Sequence, residues 1–277
     1  MVDRLHGARL RGSGLGRAHR HHARRARAQV LPQPLGELPA RQVRARLGDL
    51  HPGGHHGRER GHRTGAATVV TPVDLVRELK PLYSPSPRHP SIVEVPELAF
   101  LMADGRGDPS TSEAYQQAVE ALYGVAYTLK FTLKKTDPER DFKVGPLEGL
   151  WWADEDAPTM EELQRDRDTW NWTMMIAVPA AVTAAEVAAA ADAAGRRREL
   201  PAAAHVRFER FAEGLAAQIM HIGPYAGEAT TIEQLHVFVA EQGYQLRGRH
   251  HEIYLGDPRR TAPERLKTVL RHPVCEA

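Results

Sequence analysis

The composition changes abruptly near residue 68, and this change constrains the possible folds more than any motif does. Residues 1–65 hold fourteen arginines, no lysine and four acids, a net charge of +10, among many Gly, His, Ala and Pro residues. With hardly an aromatic side chain, such a segment buries too little apolar surface to offset the entropy lost on ordering. We therefore predict that residues 1–68 form a disordered extension and that residues 69–277 form the folded domain.

The basic extension allows two interpretations. Arg-rich tails neutralise phosphates without needing a fold, which suggests a nucleic-acid-binding arm. A segment rich in Arg, Gly, Ala and Pro but free of Lys is also what a GC-rich gene gives when it is translated from a wrong start or frame, and we prefer this reading. The rest of the chain carries 23 basic and 31 acidic residues, a net charge of −8. Nucleic acid is therefore an expected partner only through the basic tail.

The sequence lacks the signatures of several functional classes. Cys275 is the only cysteine, so no internal disulfide can form, and a reducing cytoplasm is the expected location. No apolar run approaches the length of a membrane span, and no signal peptide is recognisable. Phosphate loops, dinucleotide fingerprints, Gly-x-Ser-x-Gly motifs and metal-ligand spacings are also missing. The prediction is a cytoplasmic protein that needs no cofactor and no metal.

The hydrophobic periodicity predicts an α+β domain. Helices are predicted at residues 110–135, 182–197 and 230–242, the first with Ser110, Thr111 and Ser112 as candidate N-caps. Strands are predicted at residues 93–103, 142–152, 171–178, 215–222, 250–255 and 266–272. Each half then follows the order strand–helix–strand–strand. Two such modules would form a curved antiparallel sheet with a central ligand groove and helices on one face.

The strand at residues 250–255 carries the strongest chemical signal. Alternation of side chains puts Glu252 and Tyr254 on one face, where a carboxylate and a phenol can share one ligand. Other side chains fit either a pocket or an ordinary core. They are Glu148, Trp152, Trp172, Met174, Tyr115 and Tyr123.

Several segments resemble the GyrI-like small-molecule-binding proteins. They are Pro-Leu-Glu-Gly-Leu-Trp-Trp at 146–152, His-Ile-Gly-Pro-Tyr at 221–225 and above all His-His-Glu-Ile-Tyr-Leu at 250–255. The resemblance covers about residues 72–275 and does not explain the basic tail. It implies the duplicated fold described above. It also implies a stand-alone member, similar to hydrolases that open the cyclopropane ring of DNA-alkylating natural products.

The resemblance also implies residue roles. Glu252 and Tyr254 match the acid and the phenol of the family's pocket, and Trp152 and Trp172 would form its walls, with Tyr115 and Tyr123 as further lining. An apolar pocket raises a carboxyl pKa toward the range of a general base, so Glu252 could activate water. Tyr254 could then hydrogen-bond the substrate carbonyl as it becomes a phenolate.

The predicted partner is a hydrophobic aromatic small molecule. Two alternatives remain open at this point. The first is a non-catalytic protein that senses or sequesters lipophilic, cationic drugs. The second is an interaction protein that modulates gyrase.

Overall fold

The computed structural model describes residues 71–153 and 169–277. The disorder predicted for residues 1–68 lies outside the described residues, and so does the acidic segment 154–168, which we interpret from the sequence as a loop between the second and third strands. Within them the chain is a mixed α+β domain, as predicted. No helix of this part of the chain is both long enough and apolar enough to cross a membrane.

Three long helices account for most of the helical residues, and all three were predicted. We label the helices α1 (Leu75–Glu78), α2 (Lys80–Tyr83), α3 (Glu113–Thr136), α4 (Ala184–Arg198) and α5 (Glu228–Glu241). The Ser112 hydroxyl accepts a hydrogen bond from the backbone N–H of Tyr115, so Ser112 is the N-cap of α3 and the helix begins three residues after the predicted start. In α4, Thr183 and Glu186 form a reciprocal capping box.

Seven strands form one antiparallel sheet. They are β1 (Ser91–Arg106), β2 (Leu147–Trp152), β3 (Asn171–Val178), β4 (Arg207–Ile222), β5 (Tyr244–Leu246), β6 (His250–Tyr254) and β7 (Lys267–Glu276). The order is β4-β1-β3-β2-β6-β7-β5, and β4 also pairs with β7. This last pairing closes six strands into a barrel, which the periodicity did not predict. The short strand β5 was also missed.

The two faces of the barrel wall have different neighbours. Buried residues of α3, such as Leu122, pack with Leu101 of β1 and Ile176 of β3. We call the face that packs against α3 the outer face and the opposite one the inner face. On the other face, Tyr83 at the end of α2 packs with Ile253 of β6. Adjacent residues of one strand therefore enter different environments.

Candidate functional site

Strand β6 carries buried polar side chains on both of its faces. It pairs with β2, where Glu252 lies opposite Gly149, and with β7, where Glu252 lies opposite Leu270. Tyr254 packs in the cluster that includes α3, so alternation places His250 and Glu252 on the same outer face. All three side chains are buried. The prediction that Glu252 and Tyr254 share a face is confirmed.

Glu252 is held by hydrogen bonds from its own strand. The Tyr254 hydroxyl donates to its Oε2 at 2.8 Å, and Nε2 of His250 lies 3.2 Å from its Oε1. The indole N–H of Trp151 in turn donates to the Tyr254 oxygen at 3.1 Å. Burial raises the pKa of Glu252 to about 8, although the bond from Tyr254 and the charge of His251 act in the opposite direction. The carboxyl therefore changes protonation state near neutral pH.

Gly149 makes room for the Trp151 indole. A Cβ at this position would lie 2.7 Å from Nε1 of Trp151 and 3.2 Å from the side chain of Met174. Only a residue without a side chain therefore allows the indole to reach Tyr254 across the β2–β6 pair.

A second carboxyl belongs to the same site. Glu228 is the first residue of α5 and is fully buried. Neither of its oxygens has a hydrogen-bond partner in the described part of the chain. Its pKa is raised well above the ordinary value, first by burial and then by the charge of Glu252, with a smaller opposing effect from the nearby Thr268 hydroxyl.

Aromatic rings surround the two carboxyls. Tyr225 meets Tyr254 edge to face, with ring centroids 5.9 Å apart, and Tyr115 meets Trp172 edge to face at 5.3 Å. The charge of Glu252 contributes, after burial, to raising the pKa of both Tyr115 and Tyr225. We call this group the outer-face cluster. It comprises Tyr115, Trp151, Tyr225, Glu228, Glu252 and Tyr254.

The inner face of the same strands holds a separate group, the inner-face cluster. His251 lies between two carboxylates, with Nε2 3.0 Å from Glu148 and Nδ1 3.1 Å from Glu213. Arg271 donates to Glu213 at 3.1 Å, and the Tyr83 hydroxyl donates to Glu148 at 2.9 Å. With two acids and two bases, its charges balance.

The pKa values in the inner-face cluster follow from this pairing. Burial alone would lower the pKa of His251, but the charge of Glu213 and the hydrogen bonds to Glu148 and Glu213 raise it to about 9. Burial would likewise raise the pKa of Glu213, yet His251 and Arg271 lower it to about 2. These groups keep their charges through the physiological range, which suits a structural role.

The candidate lining residues divide between the two faces. Trp172 and Met174 are fully buried on the outer side, and Tyr123 lies half-buried at the edge of the same cluster, where burial above all raises its pKa to about 12. Glu148 instead belongs to the inner-face cluster. Trp152 also faces away from Glu252, and the Arg249 guanidinium lies 3.6 Å above its ring. Trp151, rather than Trp152, lies beside Tyr254.

Three members of the site were not predicted: Trp151, Tyr225 and Glu228. The choice between Trp151 and Trp152 depends on the register of β2 against β6, which one sequence does not reveal. Glu228 lay just before the predicted helix, which began at residue 230. Its position gave no sign of burial, because an acid in the first turn of a helix is favourable in any environment that the helix dipole reaches.

Comparison with known proteins identifies the family. A model of the GyrI-like small molecule binding domain matches residues 88–274. The chain belongs to the GyrI-like family. The resemblance seen in the sequence is thus confirmed, and the matched range contains the outer-face cluster and the four charged residues of the inner-face cluster. A search among curated proteins gave no match.

Solved structures from Listeria innocua are similar to this GyrI-like chain over their whole length. One, described as an uncharacterized conserved protein, is 39% identical with a TM-score of 0.67, covering 73% of this chain and 100% of the other. Two described as hydrolases are each 38% identical, with TM-scores of 0.64 and 0.65, covering 73% and 74% of this chain and 100% of theirs.

Proposed function

We propose that this chain binds a hydrophobic aromatic small molecule at the outer-face cluster and hydrolyses cyclopropane-bearing electrophiles there. The observation that carries the proposal is Glu252, a fully buried carboxyl within an aromatic surround whose pKa is raised to about 8. A general base works best when its pKa lies near the operating pH. The description of two 38% identical relatives as hydrolases supports the same reaction class.

In the proposed reaction Glu252 removes a proton from water as the water attacks a cyclopropane carbon. Tyr254 holds the carboxylate in position through its 2.8 Å hydrogen bond. Planar substrates gain affinity by stacking on indole and phenol faces, which Trp151 and Tyr115 offer. The low dielectric of the buried site strengthens each of these electrostatic contacts.

We further propose that the binding groove follows from a duplicated module. The halves β1–α3–β2–β3 and β4–α5–β6–β7, the second with β5 added, have the same order of elements. In the barrel they meet at two junctions, where β1 pairs with β4 and where β2 pairs with β6, and Glu252 lies on the second. A groove between α3 and α5 would then place a ligand in contact with both halves.

A second candidate function is the non-catalytic binding of lipophilic cations. The two buried carboxyls among aromatic rings favour it, because a desolvated cation gains from both a carboxylate and a π face. We also propose a cytoplasmic location from the single cysteine, and contact with nucleic acid only through the basic segment.

Product analysis by mass spectrometry distinguishes these functions. The full chain, Glu252→Gln and the exposed control Glu233→Gln would be incubated with a cyclopropane-bearing DNA alkylator. We expect a water-adduct mass that forms faster than in buffer with the wild type and the control but not with Glu252→Gln. Tryptophan quenching without product would indicate a binding protein, and the lack of both signals would contradict both pocket functions for this ligand class.

A further inference from the structure

The burial of Glu228 destabilises the fold, which suggests that this residue lies there for a functional reason. A buried carboxyl without a partner lowers stability, whether it stays charged or takes up a proton to become neutral. Both Glu228 oxygens lack a hydrogen bond among the described residues, as do the hydroxyls of Tyr115 and Thr268. The Thr268 hydroxyl lies near enough to lower the pKa of Glu228 but makes no hydrogen bond of good geometry with it. All three residues are fully buried. After burial, the charge of Glu252 raises the pKa of both Glu228 and Tyr115, which connects α5 and α3 to one site.

The hydrogen bonds of Tyr254 prevent it from donating a proton to a substrate. The only hydroxyl proton of Tyr254 is donated to Glu252, and its oxygen already accepts from Trp151. Tyr254 is therefore engaged in orienting the base and has no free donor for a substrate. A protonated Glu228 has a free O–H on the same face of the site.

We propose that Glu228 is a second catalytic residue, the general acid that donates its proton to the carbonyl oxygen of the substrate while Glu252 acts as the base. This proposal rests on the proposed hydrolysis and on the substrate carbonyl that the family resemblance implies. Glu228 takes over the role that the sequence analysis gave to Tyr254.

The proposed step balances in atoms and charge. The water oxygen forms a bond to a cyclopropane carbon, and the water proton passes to Glu252. The ring C–C bond breaks, and its electron pair moves through the conjugated system to the carbonyl oxygen, which takes the proton of Glu228. The product is a phenol bearing an alcohol side chain. Transfer of one proton from Glu252 to Glu228, directly or through solvent, restores the starting state.

The electrostatics of the site support this division of roles. The groups that interact with Glu228 are Glu252 and Tyr254 of β6, Tyr225 of the preceding turn and Thr268 of β7. None of them is a cation, and only the Thr268 hydroxyl favours the charged form of Glu228, an effect smaller than those of burial and of Glu252. Glu252 has the partners that favour its charged form, a donated hydrogen bond from Tyr254 and the positive charge of His251. Two carboxyls whose environments differ in this way take opposite roles in acid–base catalysis.

Glu228→Gln tests the proposal, with Glu233→Gln on the exposed side of the same helix as the matched control. Using a cyclopropane-bearing alkylator with a conjugated carbonyl, we expect kcat to fall about 10²-fold or more in Glu228→Gln and KM to change little. The wild-type rate should also decline at alkaline pH as Glu228 loses its proton, and this decline should be missing in the variant. Thermal unfolding checks folding, because the amide replaces a buried neutral carboxyl of nearly the same size and should leave Tm close to that of the wild type.

Two results would overturn the proposal in different ways. Product formation by Glu228→Gln at the wild-type rate and with the wild-type pH profile would show that Glu228 is not the acid, and the proposed hydrolysis would stand. A wild-type protein that forms no product would overturn the hydrolysis itself, and the role of Glu228 with it.

Discussion

The contact between Gly149 and Trp151 shows how much of the site depends on single atoms. The indole reaches the Tyr254 hydroxyl only because residue 149 has no side chain. Tyr254 in turn donates a hydrogen bond to Glu252. The absence of a side chain at Gly149 is therefore needed for two successive hydrogen bonds, from Trp151 to Tyr254 and from Tyr254 to Glu252. A residue without a side chain can therefore control the orientation of the proposed base.

We predict that Gly149→Ala displaces the Trp151 indole. The added methyl would overlap Nε1 of Trp151 at 2.7 Å, and overpacking of this kind costs about 1–3 kcal/mol of the free energy of unfolding. Urea unfolding measures the loss, and near-UV circular dichroism reports the change around the indole. Gly145→Ala is the control, because its nearest contact is 3.7 Å. Equal stability of the two variants would contradict the packing argument.

At the scale of elements, the seam between β4 and β7 closes the barrel, and Arg271 connects it to α2. Its guanidinium donates to the carbonyl oxygen of Leu82 at 2.7 Å, to Gln218 at 3.1 Å and to Glu213 at 3.1 Å. All of these hydrogen bonds are buried. Removal of the cation would therefore leave these buried acceptors without a donor, whatever the net energy of the Arg271–Glu213 ion pair.

We predict that Arg271→Met lowers the free energy of unfolding by about 3–5 kcal/mol, because Glu213 would remain buried with one cation fewer. Arg210→Met on the same β4 strand removes an exposed ion pair to Glu97 with a 3.6 Å separation, and such pairs contribute less than about 1 kcal/mol. Denaturant titration of both variants measures the difference. A loss below 1 kcal/mol for Arg271→Met would show that the inner-face cluster does not need its second cation.

The elements were easier to predict from the sequence than their arrangement. The caps Ser112 and Thr183 and the periodic apolar residues gave the long helices to within a few residues. Strand alternation put Glu252 and Tyr254 together correctly. The register of β2 against β6 and the closure of the barrel depend on contacts between residues that are distant in the sequence. For this reason Trp152 was predicted in the place of Trp151, and the pairing of β4 with β7 was not predicted. The three-residue strand β5 was too short to give a pattern.

At the scale of the whole molecule, buried titratable groups couple stability to pH in opposite directions. His250 and His236 have pKa values lowered by burial to about 3 and about 4, and burial likewise lowers that of His272. Below pH 6.5 the unfolded chain protonates these imidazoles while the folded protein does not, so they destabilise the fold as the pH falls. His251 and Glu252 have raised values, about 9 and about 8. They favour the folded state at lower pH and lose that contribution as the pH rises.

We predict that Tm is highest between about pH 5 and 6.5 and falls on both sides. Above pH 4.5 the unfolded state has released the protons that Glu252 and Glu228 retain, but down from pH 6.5 it takes up protons on His236, His250 and His272, and the two effects oppose each other. Above pH 6.5 only the first effect remains, and the proton that His251 retains adds to it. Each proton changes stability by on the order of 1.4 kcal/mol per pH unit. Below pH 4.5 the lowered pKa values of His250, His272 and Glu213 dominate. Differential scanning calorimetry from pH 3.5 to 9 measures the curve. Glu252→Gln should flatten the alkaline side, and an unchanged slope in that variant would contradict the assignment.

Neighbouring residues of β6 serve two different properties of the protein, the stability of the fold and the proposed contact with a ligand. His251 points inward to a charge-balanced set that the fold requires, whereas Glu252 points outward to groups that a ligand would meet. Specificity could thus diverge through changes at outward positions while the inward ones stay fixed, and an engineer could vary the outward set as an independent library. The same geometry forbids a one-residue insertion in this strand, since it would exchange the two sets and lose both properties at once.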